Sequence, residues 1–467
     1  MSKHPKKLKR GAVPRGLAAT LAGIRAGGAL AVDGAVHSVL SRSGLRSAEA
    51  ESKFARREAH RLVQQLGELK GTYVKVGQMF ALLGEHFLPP VLTEALHELG
   101  AHTEPLPWEA MQPQLRQELG ARLSQLNISQ EAFAAASLAQ VHRARIRDSG
   151  EKICLKVQYP GLSEVIDSDF DAVVRMLKLA RWLPAGRELD DWLESMRVYL
   201  HHEIDYRREA GFVELVGQHV AALGDAAAHY HVPRVYRQFC SDRVLALEYV
   251  KGKPVNHPAI ARLSLARRNQ IARNMLELFF LELYDWGLLQ SDPNFGNYLI
   301  KIGKSGALDR LVLLDFGSVL DCSEDFLFHL RRVIAAGLEE DTTAIVEGLI
   351  GLGCLQPDAS EEGRELFANF CLHLLEPLRP PRRLPAERLN SRGEYCWASS
   401  GLMRRAGKMA VASTATRHFT TPSRDFALIA RKLTGVFTFI SVLGAEFNGY
   451  EMVSRHIDNW RERESRG

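Results

Sequence analysis

Two short strings lie close together in the second half of the chain: QSDPNFGNYLI at residues 290–300 and LVLLDFG at residues 311–317. The first string places Asp292 five residues before Asn297. The second ends an apolar run with the letters DFG, whose carboxylate is Asp315. Carboxylate and amide oxygens are ligands that magnesium prefers in proteins. The two strings therefore indicate a site for this cation and for the phosphates that accompany it.

The same spacing is typical of phosphoryl transfer. In protein-kinase-like enzymes a catalytic-loop Asp orients the attacking hydroxyl, while an Asn five residues later and a DFG Asp hold magnesium on the phosphates. Each string alone is weak evidence, because an Asp-Phe-Gly after a strand is often an ordinary turn. Together, in this order, they favour a phosphotransfer site over a turn.

Length and composition set the outer limits. A chain of 467 residues is long enough for two or three domains. An apolar content of 46% and a charged content of 25% are those of a globular protein, and a net charge of +5 does not suggest general nucleic-acid binding. The six cysteines show no metal-ligand spacing, which argues against structural zinc and for a reducing compartment.

Residues 1–50 form a basic and apolar leader without an evident secretory signal. Residues 16–40 are apolar and small, but Arg25 and Asp33 interrupt them, and charges at mid-span are costly in a bilayer. An interfacial amphipathic segment beneath a basic arm fits better than a spanning helix. A flexible leader without membrane contact and a transit peptide are the alternatives.

An amphipathic helix is predicted for residues 54–83, where apolar residues recur at three- and four-residue steps. Gly71 and Gly77 lie inside this pattern, and each costs about 1 kcal/mol relative to Ala. Lys75 and Gln78, in the string KVGQ, lie on the same side of the helix. A functional pair competes here with a solvated Lys-Gln edge whose glycine allows close helix packing.

A β-hairpin is predicted from residues 133–146 and 151–159, joined by an Asp-Ser-Gly turn. Lys156 lies on the face opposite the apolar set, where a nucleotide-binding lobe carries its phosphate-pairing lysine. A solvated surface lysine is the alternative. The place of a glycine-rich phosphate loop is taken by small residues that reach positive φ less readily than glycine, so we expect a stiffer loop or simply the start of a strand or helix. These residues are Ala134, Ala135, Ala136 and Ser137.

A helix with closely spaced acids is predicted over residues 190–216. Glu203 and Asp205 form an ExD pair, and Glu209 follows Asp205 by four residues on the same face. Either these acids pair with neighbouring arginines on an exposed face, or Glu209 is the partner of Lys156.

Another strand is predicted over residues 242–250, and helical patterns dominate after it. Its end, from Glu248 to Val250, is a candidate hinge whose backbone groups would meet adenine, although many strands end in this way. A helical pattern over residues 261–286 leads into the QSDPNFGN string. Beyond residue 321 no further motif carries chemistry.

Six strings in this order resemble the UbiB/ADCK family of atypical protein-kinase-like proteins, and the KxGQ, alanine-rich and ExD elements are specific to that family. The resemblance covers about residues 50–340 and implies an α+β, two-lobed protein-kinase-like fold with an N-terminal helical KxGQ extension and a helix-rich C-terminal lobe. The implied domains are the leader (1–50), the helical extension (51–128), the N-lobe with inserted helices (129–250) and the C-lobe with C-terminal helices (251–467). The strings are KVGQ (75–78), AAASLAQVH (134–142), CLKVQYPG (154–161), EIDYRREA (203–210), SDPNFGN (291–297) and LLDFG (313–317).

The resemblance also implies roles for individual residues. Lys156 would pair with the phosphates of ATP or ADP, and Glu209 would hold it. Asp292 would be the catalytic-loop carboxylate, and Asn297 and Asp315 would bind Mg²⁺. The alanine-rich segment, Glu248 and Val250 would contact the nucleotide.

In this family the KxGQ helix covers the place where an ordinary kinase receives a peptide. Lys75 and Gln78 would accordingly enter the site and engage Glu203 or Asp205, since a crowded acidic site needs a counter-charge. The implied function is an ATPase or a small-molecule or lipid kinase that supports ubiquinone (coenzyme Q) biosynthesis at a membrane. A protein kinase acting in trans and a non-catalytic nucleotide-dependent scaffold are the alternatives.

The implied partners are an adenine nucleotide, a lipid or quinone precursor, a membrane surface and enzymes of ubiquinone biosynthesis, with no nucleic acid. The implied location is intracellular, at a bacterial inner membrane or in a mitochondrion. The sequence departs from one common bacterial form of the family, because Asn294-Phe295 rather than His-Pro follows Asp292-Pro293. It also lacks a clear transmembrane helix of the sort that many members carry.

Overall fold

The computed structural model describes most of the chain after residue 55. The described residues are 56–304 with gaps at 58, 65, 68–70, 84–87, 89, 98, 100–103, 180–181 and 184–186, together with 308–406 and 424–466. The predicted leader at residues 1–50 lies outside them. The chain divides into two compact units, the first ending at Ala210 and resuming over Val235–Tyr249, the second comprising Gly211–Arg234 and the chain from Val250 onward.

Short strands carry four of the residues singled out by the sequence: Ala134, Ala135, Lys156 and Glu248. Within the described residues the strands are β1 (Leu126–Ala135), β2 (Ala139–Ile146), β3 (Lys152–Gln158), β4 (Tyr230–His231), β5 (Val244–Glu248), β6 (Leu288–Gln290), β7 (Tyr298–Lys301), β8 (Arg310–Leu313) and β9 (Val319–Asp321).

Helices make up most of the remainder. None of those in the described ranges combines the length and the apolar content that a membrane crossing requires. They are α1 (Thr72–Leu83), α2 (Pro90–His97), α3 (Trp108–Leu119), α4 (Leu162–Leu179), α5 (Arg187–Glu203), α6 (Tyr206–Ala221), α7 (Pro258–Ala261), α8 (Leu265–Phe280), α9 (Glu324–Glu339), α10 (Thr342–Gly351), α11 (Glu361–Leu374), α12 (Arg424–Val442) and α13 (Tyr450–Glu464).

The first unit is built on an antiparallel sheet with the strand order β1-β2-β3-β5. Leu155 and Val157 of β3 are fully buried, and they belong to one apolar core with Met111 and Leu115 of α3. The predicted hairpin is thus present as β2 and β3, with its apolar residues on one face. Strand β1 was not predicted, because its sequence LNISQEAFAA lacks a regular apolar alternation.

The prediction of one continuous helix over residues 54–83 is wrong at Gly71. This residue has φ +63°, in the left-handed region that glycine adopts readily. Helical residues 59–64 precede it, and α1 begins directly after it. Gly77 does lie within α1, where an added Cβ would overlap the side chain of Leu99. Close packing therefore explains that glycine.

The second unit is rich in helices and contains two small sheets. One has the order β4-β8-β7, and the other pairs β6 with β9. Helix α8 continues into a π-helical turn over Leu281–Trp286, which confirms the helical prediction before the QSDPNFGN string. Helix α12 packs against α8. The observed class is the mixed helix-and-sheet arrangement that was expected.

His456 ties α13 to α8 and to the π-helical turn. Its Nε2 lies 3.2 Å from Glu277 Oε1, and its Nδ1 lies 3.3 Å from Asp285 Oδ2. Burial alone would lower the pKa of His456, but its contacts with Asp285 and Glu277 outweigh burial and raise it. The imidazolium is therefore the form that this site stabilises.

We expect His456 to make the stability of the protein depend on pH. A histidine whose pKa is raised by folding contributes stability that is full below its ordinary pKa, about 6.5, and is lost as the pH rises through the folded value. The free energy of unfolding of the wild-type protein should thus fall with rising pH above about 6.5 more steeply than that of His456→Gln. Denaturant titrations at several pH values measure this difference, and equal slopes in the two proteins would count against it.

Candidate functional site

Lys156 and Glu209 form a close ion pair in the first unit. Lys156 Nζ lies 2.8 Å from Glu209 Oε1 and 2.9 Å from Oε2. The Glu209 side chain is only 1% exposed, so its charge requires a close partner. Lys156 also lies over the ring of Tyr206, 5.2 Å from its centroid. The predicted partnership is present, and the alternative of an exposed acidic face does not describe Glu209.

Strand and helix geometry explain why these two side chains meet. The alternation of β3 sends Leu155 and Val157 into the apolar core and leaves Lys156 on the other face. On that face α6 packs, because Tyr206 and Ala210 bury themselves against Leu245 of β5, the strand residue paired with Lys156. Glu209, in the first turn of α6, is thereby brought to the lysine.

Gln158 makes buried hydrogen bonds beside this pair that sequence reasoning missed. It is buried at the end of β3, and its side-chain amide donates hydrogen bonds to the carbonyls of Ile204 and Asp242. Its own carbonyl accepts one from Gln114 Nε2 at 2.8 Å. Because Ile204 is the middle residue of the ExD string, Gln158 holds that string to the sheet. In the sequence, the only feature that could have pointed to Gln158 is its position two residues after Lys156.

The KxGQ helix reaches the ExD string through Lys75. Its Nζ lies 2.8 Å from Glu203 Oε1, and the two side chains are 19% and 16% exposed. The prediction that Gln78 also engages the ExD acids is wrong. Its Nε2 donates to the carbonyl of Leu99 at 3.1 Å. The side chain of Leu99 packs on Gly77, which brings this carbonyl within reach of Gln78.

Asp205 caps the N-terminus of α6, a role that the sequence did not suggest. Its Oδ1 accepts a hydrogen bond of 2.9 Å from the backbone amide of Arg208, which is the contact of a helix N-cap. The predicted contact from Lys75 therefore goes to Glu203, while Asp205 caps α6, the helix that carries Glu209.

The alanine-rich segment is the end of a strand and a tight turn. Ala134 and Ala135 pair with Val141 and Gln140 of β2. The turn over Ala136 and Ser137 is closed by a 2.8 Å hydrogen bond from the Ala136 amide to the Ala139 carbonyl. None of the four small residues has a positive φ, as expected for a segment without glycine. Their contact with a nucleotide stays a prediction.

The candidate hinge lies where the chain leaves the first unit. Glu248 is the last residue of β5, and Val250 begins the second stretch of the other unit. The amide of Tyr249, between them, donates to the carbonyl of Lys152 at 3.0 Å. The contact of Glu248 and Val250 with adenine stays a prediction.

The QSDPNFGN string of the second unit forms a compact loop around Asp292. Asn297 Nδ2 donates to Asp292 Oδ2 at 2.9 Å, and the Asn294 amide donates to Asp292 Oδ1 at 3.3 Å. Gln290 Nε2 donates to the Asp292 carbonyl at 2.8 Å. Since Asn297 uses its amide nitrogen here, its Oδ1 is the atom left for a metal.

Asp315 lies at the same end of the β7–β8 hairpin as Asn297. Tyr298 pairs with Leu313, and the Leu314 amide donates to the Asn297 carbonyl at 2.9 Å. Asp315 Oδ1 accepts a hydrogen bond of 2.9 Å from the Gly317 amide, which fixes the turn of the DFG string. One carboxylate and one amide oxygen fit magnesium. No group of three or more His, Cys, Asp or Glu side chains in the described ranges is arranged for a metal.

Helix α12 supplies two cations to this loop that sequence reasoning missed. Arg431 Nη2 lies 3.1 Å from Asp292 Oδ1. Lys432, only 1% exposed, lies beneath the loop with its Nζ 2.8 Å from Tyr298 Oη, 3.1 Å from Glu282 Oε2 and 3.2 Å from Gln290 Oε1. No local pattern marks either residue, because their partners are more than 130 positions away in the sequence.

The site beneath the loop favours a charged lysine. Burial alone would lower the pKa of Lys432, but Glu282 and Tyr298 outweigh burial and raise it. Burial also raises the pKa of Glu282. Lys432 Nζ donates to Tyr298 Oη and Gln290 Oε1 and lies against the Glu282 carboxylate, so the geometry fits the protonated form of the lysine.

Comparison with known proteins gives a consistent picture. The ABC1 atypical kinase-like domain matches residues 98–349. A Dictyostelium discoideum protein named "Probable serine/threonine-protein kinase abkA" is 28% identical over 429 residues, or 90% of this chain and 74% of that protein. The mitochondrial atypical kinase coq-8 of Caenorhabditis elegans is 30% identical over 390 residues, or 83% and 49%. The mitochondrial atypical kinase COQ8 of Saccharomyces cerevisiae is 29% identical over 321 residues, or 68% and 62%. The chain thus spans about half to three quarters of the length of these relatives.

A solved structure shares the fold. A Mycobacterium tuberculosis protein, determined in complex with erythromycin, superposes with a TM-score of 0.58 over 88% of this chain and 98% of that one, at 23% identity.

We expect Lys432→Met to destabilise the second unit strongly. Removing one partner of a buried ion pair leaves the other charge uncompensated, which costs about 3–5 kcal/mol. Arg332→Ala is the matched control, because Arg332 pairs with Glu347 on the surface and such pairs contribute about 0–1 kcal/mol. Thermal and urea unfolding measure both. A Lys432→Met protein as stable as the control would show that the network does not support the loop.

Proposed function

The chain belongs to the ABC1 atypical kinase-like family, and from that premise we propose that it transfers the terminal phosphoryl group of ATP to a small molecule, a lipid or water, in support of ubiquinone biosynthesis at a membrane. Family membership confirms the predicted UbiB/ADCK resemblance and the protein-kinase-like fold. The proposal concerns the cofactor, the reaction and its biological setting.

The observation that carries the proposal is the Lys156–Glu209 pair. A lysine in the middle of a β-sheet is usually solvated, yet this one is held by both oxygens of a buried carboxylate. Such a contact fixes the ammonium group in one position, and a fixed positive charge is what binding of phosphates requires.

The remaining predicted residues supply the other elements of phosphoryl transfer. Asp292 would accept the proton of the attacking hydroxyl or water, and Asn297 keeps its carboxylate oriented by a hydrogen bond. Asp315 and the Oδ1 of Asn297 would hold Mg²⁺. When bound, this cation would neutralise charge on the phosphate oxygens.

The setting is inferred from the relatives. Two of them are named as mitochondrial atypical kinases of the COQ8 type, and the proposal extends a ubiquinone-related role to this chain. A quinone precursor or a lipid is accordingly the proposed acceptor or stimulus. The Lys75–Glu203 contact supports a restraining role for the KxGQ helix, since it holds that helix against the string that leads into α6.

We expect purified protein to hydrolyse ATP only with magnesium, and faster with anionic vesicles or a quinone-like phenol. Asp315→Asn should lower turnover by about 100-fold or more, because it removes a negatively charged ligand from the metal. Asp321→Asn is the matched control, an exposed carboxylate six residues later. Release of phosphate is the measurement.

Other results of this assay favour other functions. Turnover that survives Asp315→Asn would remove the metal assignment. Phosphate transfer to a generic protein substrate at a comparable rate would favour a protein kinase, as the name of the Dictyostelium relative suggests. Nucleotide binding without turnover under any condition would favour a scaffold.

We also expect Lys75→Ala to change nucleotide preference or to permit self-phosphorylation. Because both side chains are partly exposed, we take about 1 kcal/mol for this ion pair, which corresponds to a change of about 5-fold. Lys178→Ala is the control, because Lys178 pairs with Asp190 at the surface. Relative ATP and GTP turnover and incorporation of labelled phosphate are the readouts. Behaviour identical to wild type would reduce the Lys75–Glu203 contact to a structural ion pair.

A further inference from the structure

The loop around Asp292 contains no positive charge of its own. The four residues between Asp292 and Asn297 are Pro, Asn, Phe and Gly. Phosphoryl transfer concentrates negative charge at the reacting centre, and fixed cations near that centre are a general means of stabilising it. The cation that contacts Asp292 comes from α12, which lies outside the matched domain at residues 98–349.

Arg431 and Asn297 contact different oxygens of the Asp292 carboxylate. Arg431 Nη2 lies 3.1 Å from Oδ1, and Asn297 Nδ2 lies 2.9 Å from Oδ2. With a side-chain donor on each oxygen, the plane of the carboxylate is fixed. Without Arg431, the amide of Asn294, at 3.3 Å, would be the remaining donor to Oδ1 among the described residues.

Two neighbours of Arg431 on α12 fix the helix against the same loop. Lys432 binds Gln290, whose amide in turn donates to the Asp292 carbonyl. Gly435, four residues after Arg431 and so on the same side of the helix, lies so close to Pro293 that an added Cβ would overlap the proline ring. The loop and the helix are thus in contact through Arg431, Lys432 and Gly435.

We propose that Arg431 is a positioning residue for phosphoryl transfer and that α12 is part of the reaction site. This inference rests on the proposed function. In the step concerned, the oxygen of the acceptor hydroxyl or water bonds to the γ-phosphorus of ATP. The bond from that phosphorus to the β–γ bridging oxygen breaks, ADP leaves, and the acceptor's proton passes to Asp292. Arg431 keeps the Asp292 carboxylate in one orientation for that proton.

If Arg431 served only to stabilise the fold, its loss would instead lower the unfolding temperature. The side chains of Arg431 and Asp292 are 28% and 29% exposed, and ion pairs with this degree of exposure contribute little to stability. Loss of the pair should therefore change kcat while leaving the unfolding temperature and the KM for ATP near their wild-type values.

The test compares Arg431→Ala with wild type and with the surface control Arg332→Ala. We expect kcat for ATP to fall about 10- to 100-fold in Arg431→Ala, with KM changed by less than about twofold, as for a misplaced catalytic group. Guanidinium at a non-denaturing concentration should restore part of the lost kcat in Arg431→Ala and none in wild type or the control. An unchanged kcat in Arg431→Ala would overturn the inference.

A second variant tests the helix rather than the guanidinium. In Gly435→Ala the new methyl group must displace either the helix or Pro293, so kcat should fall without rescue by guanidinium. Gly211→Ala is its control, a glycine in α6 with nothing within 4 Å of an added Cβ. Wild-type kcat in a folded Gly435→Ala protein would show that the contact with α12 does not position the loop.

A third measurement does not depend on turnover. Carbodiimide labelling of Asp292, read by mass spectrometry, should increase several-fold in Arg431→Ala and stay at the wild-type level in Arg332→Ala. If wild-type protein fails to turn over ATP, the proposed function fails, and the labelling alone then decides whether Arg431 holds Asp292. Equal labelling of Asp292 in all three proteins would overturn that contact.

Discussion

The contact between Lys156 and Glu209 constrains how β3 and the first turn of α6 are arranged in the first unit. A carboxylate with 1% exposure is tolerated only with a close opposite charge, and Lys156 meets both of its oxygens. To bring the two together, β3 must send its apolar residues to the core and α6 must begin close to the sheet. Asp205 caps that helix, and Gln158 holds the preceding residue, Ile204, to the strand. The neighbouring polar contacts therefore serve to place this one pair.

In the second unit, polar contacts likewise fix one functional side chain, but that side chain lies in a loop. Asp292 lies in an irregular segment, where a strand or helix cannot fix its side chain, and the constraint comes instead from α12 and from hydrogen bonds within the loop. The buried ammonium of Lys432 contacts Tyr298 at one end of the loop and Gln290 at the other. Arg431, the adjacent residue, contacts the Asp292 carboxylate itself. A reaction site argued only from the QSDPNFGN and DFG strings would omit this helix.

The sequence predicted the features that depend on local pattern. Period-two alternation located β3 and the face of Lys156, and the resemblance paired that lysine with Glu209. Pattern reasoning failed where a single distant contact decides the outcome. Gln78 binds the Leu99 carbonyl because a glycine one residue earlier admits the Leu99 side chain. The helix break at Gly71 is a backbone property that apolar periodicity does not record. Arg431 and Asp292 are 139 positions apart, and no local sequence pattern around either residue indicates their contact.

Binding of a fluorescent ATP analogue with magnesium tests most directly whether the Lys156–Glu209 pair serves nucleotide phosphates. The comparison is between Lys156→Met and Lys152→Met, since Lys152 is an exposed lysine on the same strand, and thermal unfolding confirms that both variants are folded. Loss of a charge-assisted contact of about 1.5–3 kcal/mol should weaken binding about 10- to 150-fold in Lys156→Met, with Lys152→Met at the wild-type Kd. Equal affinity in both variants and in wild type would contradict the account.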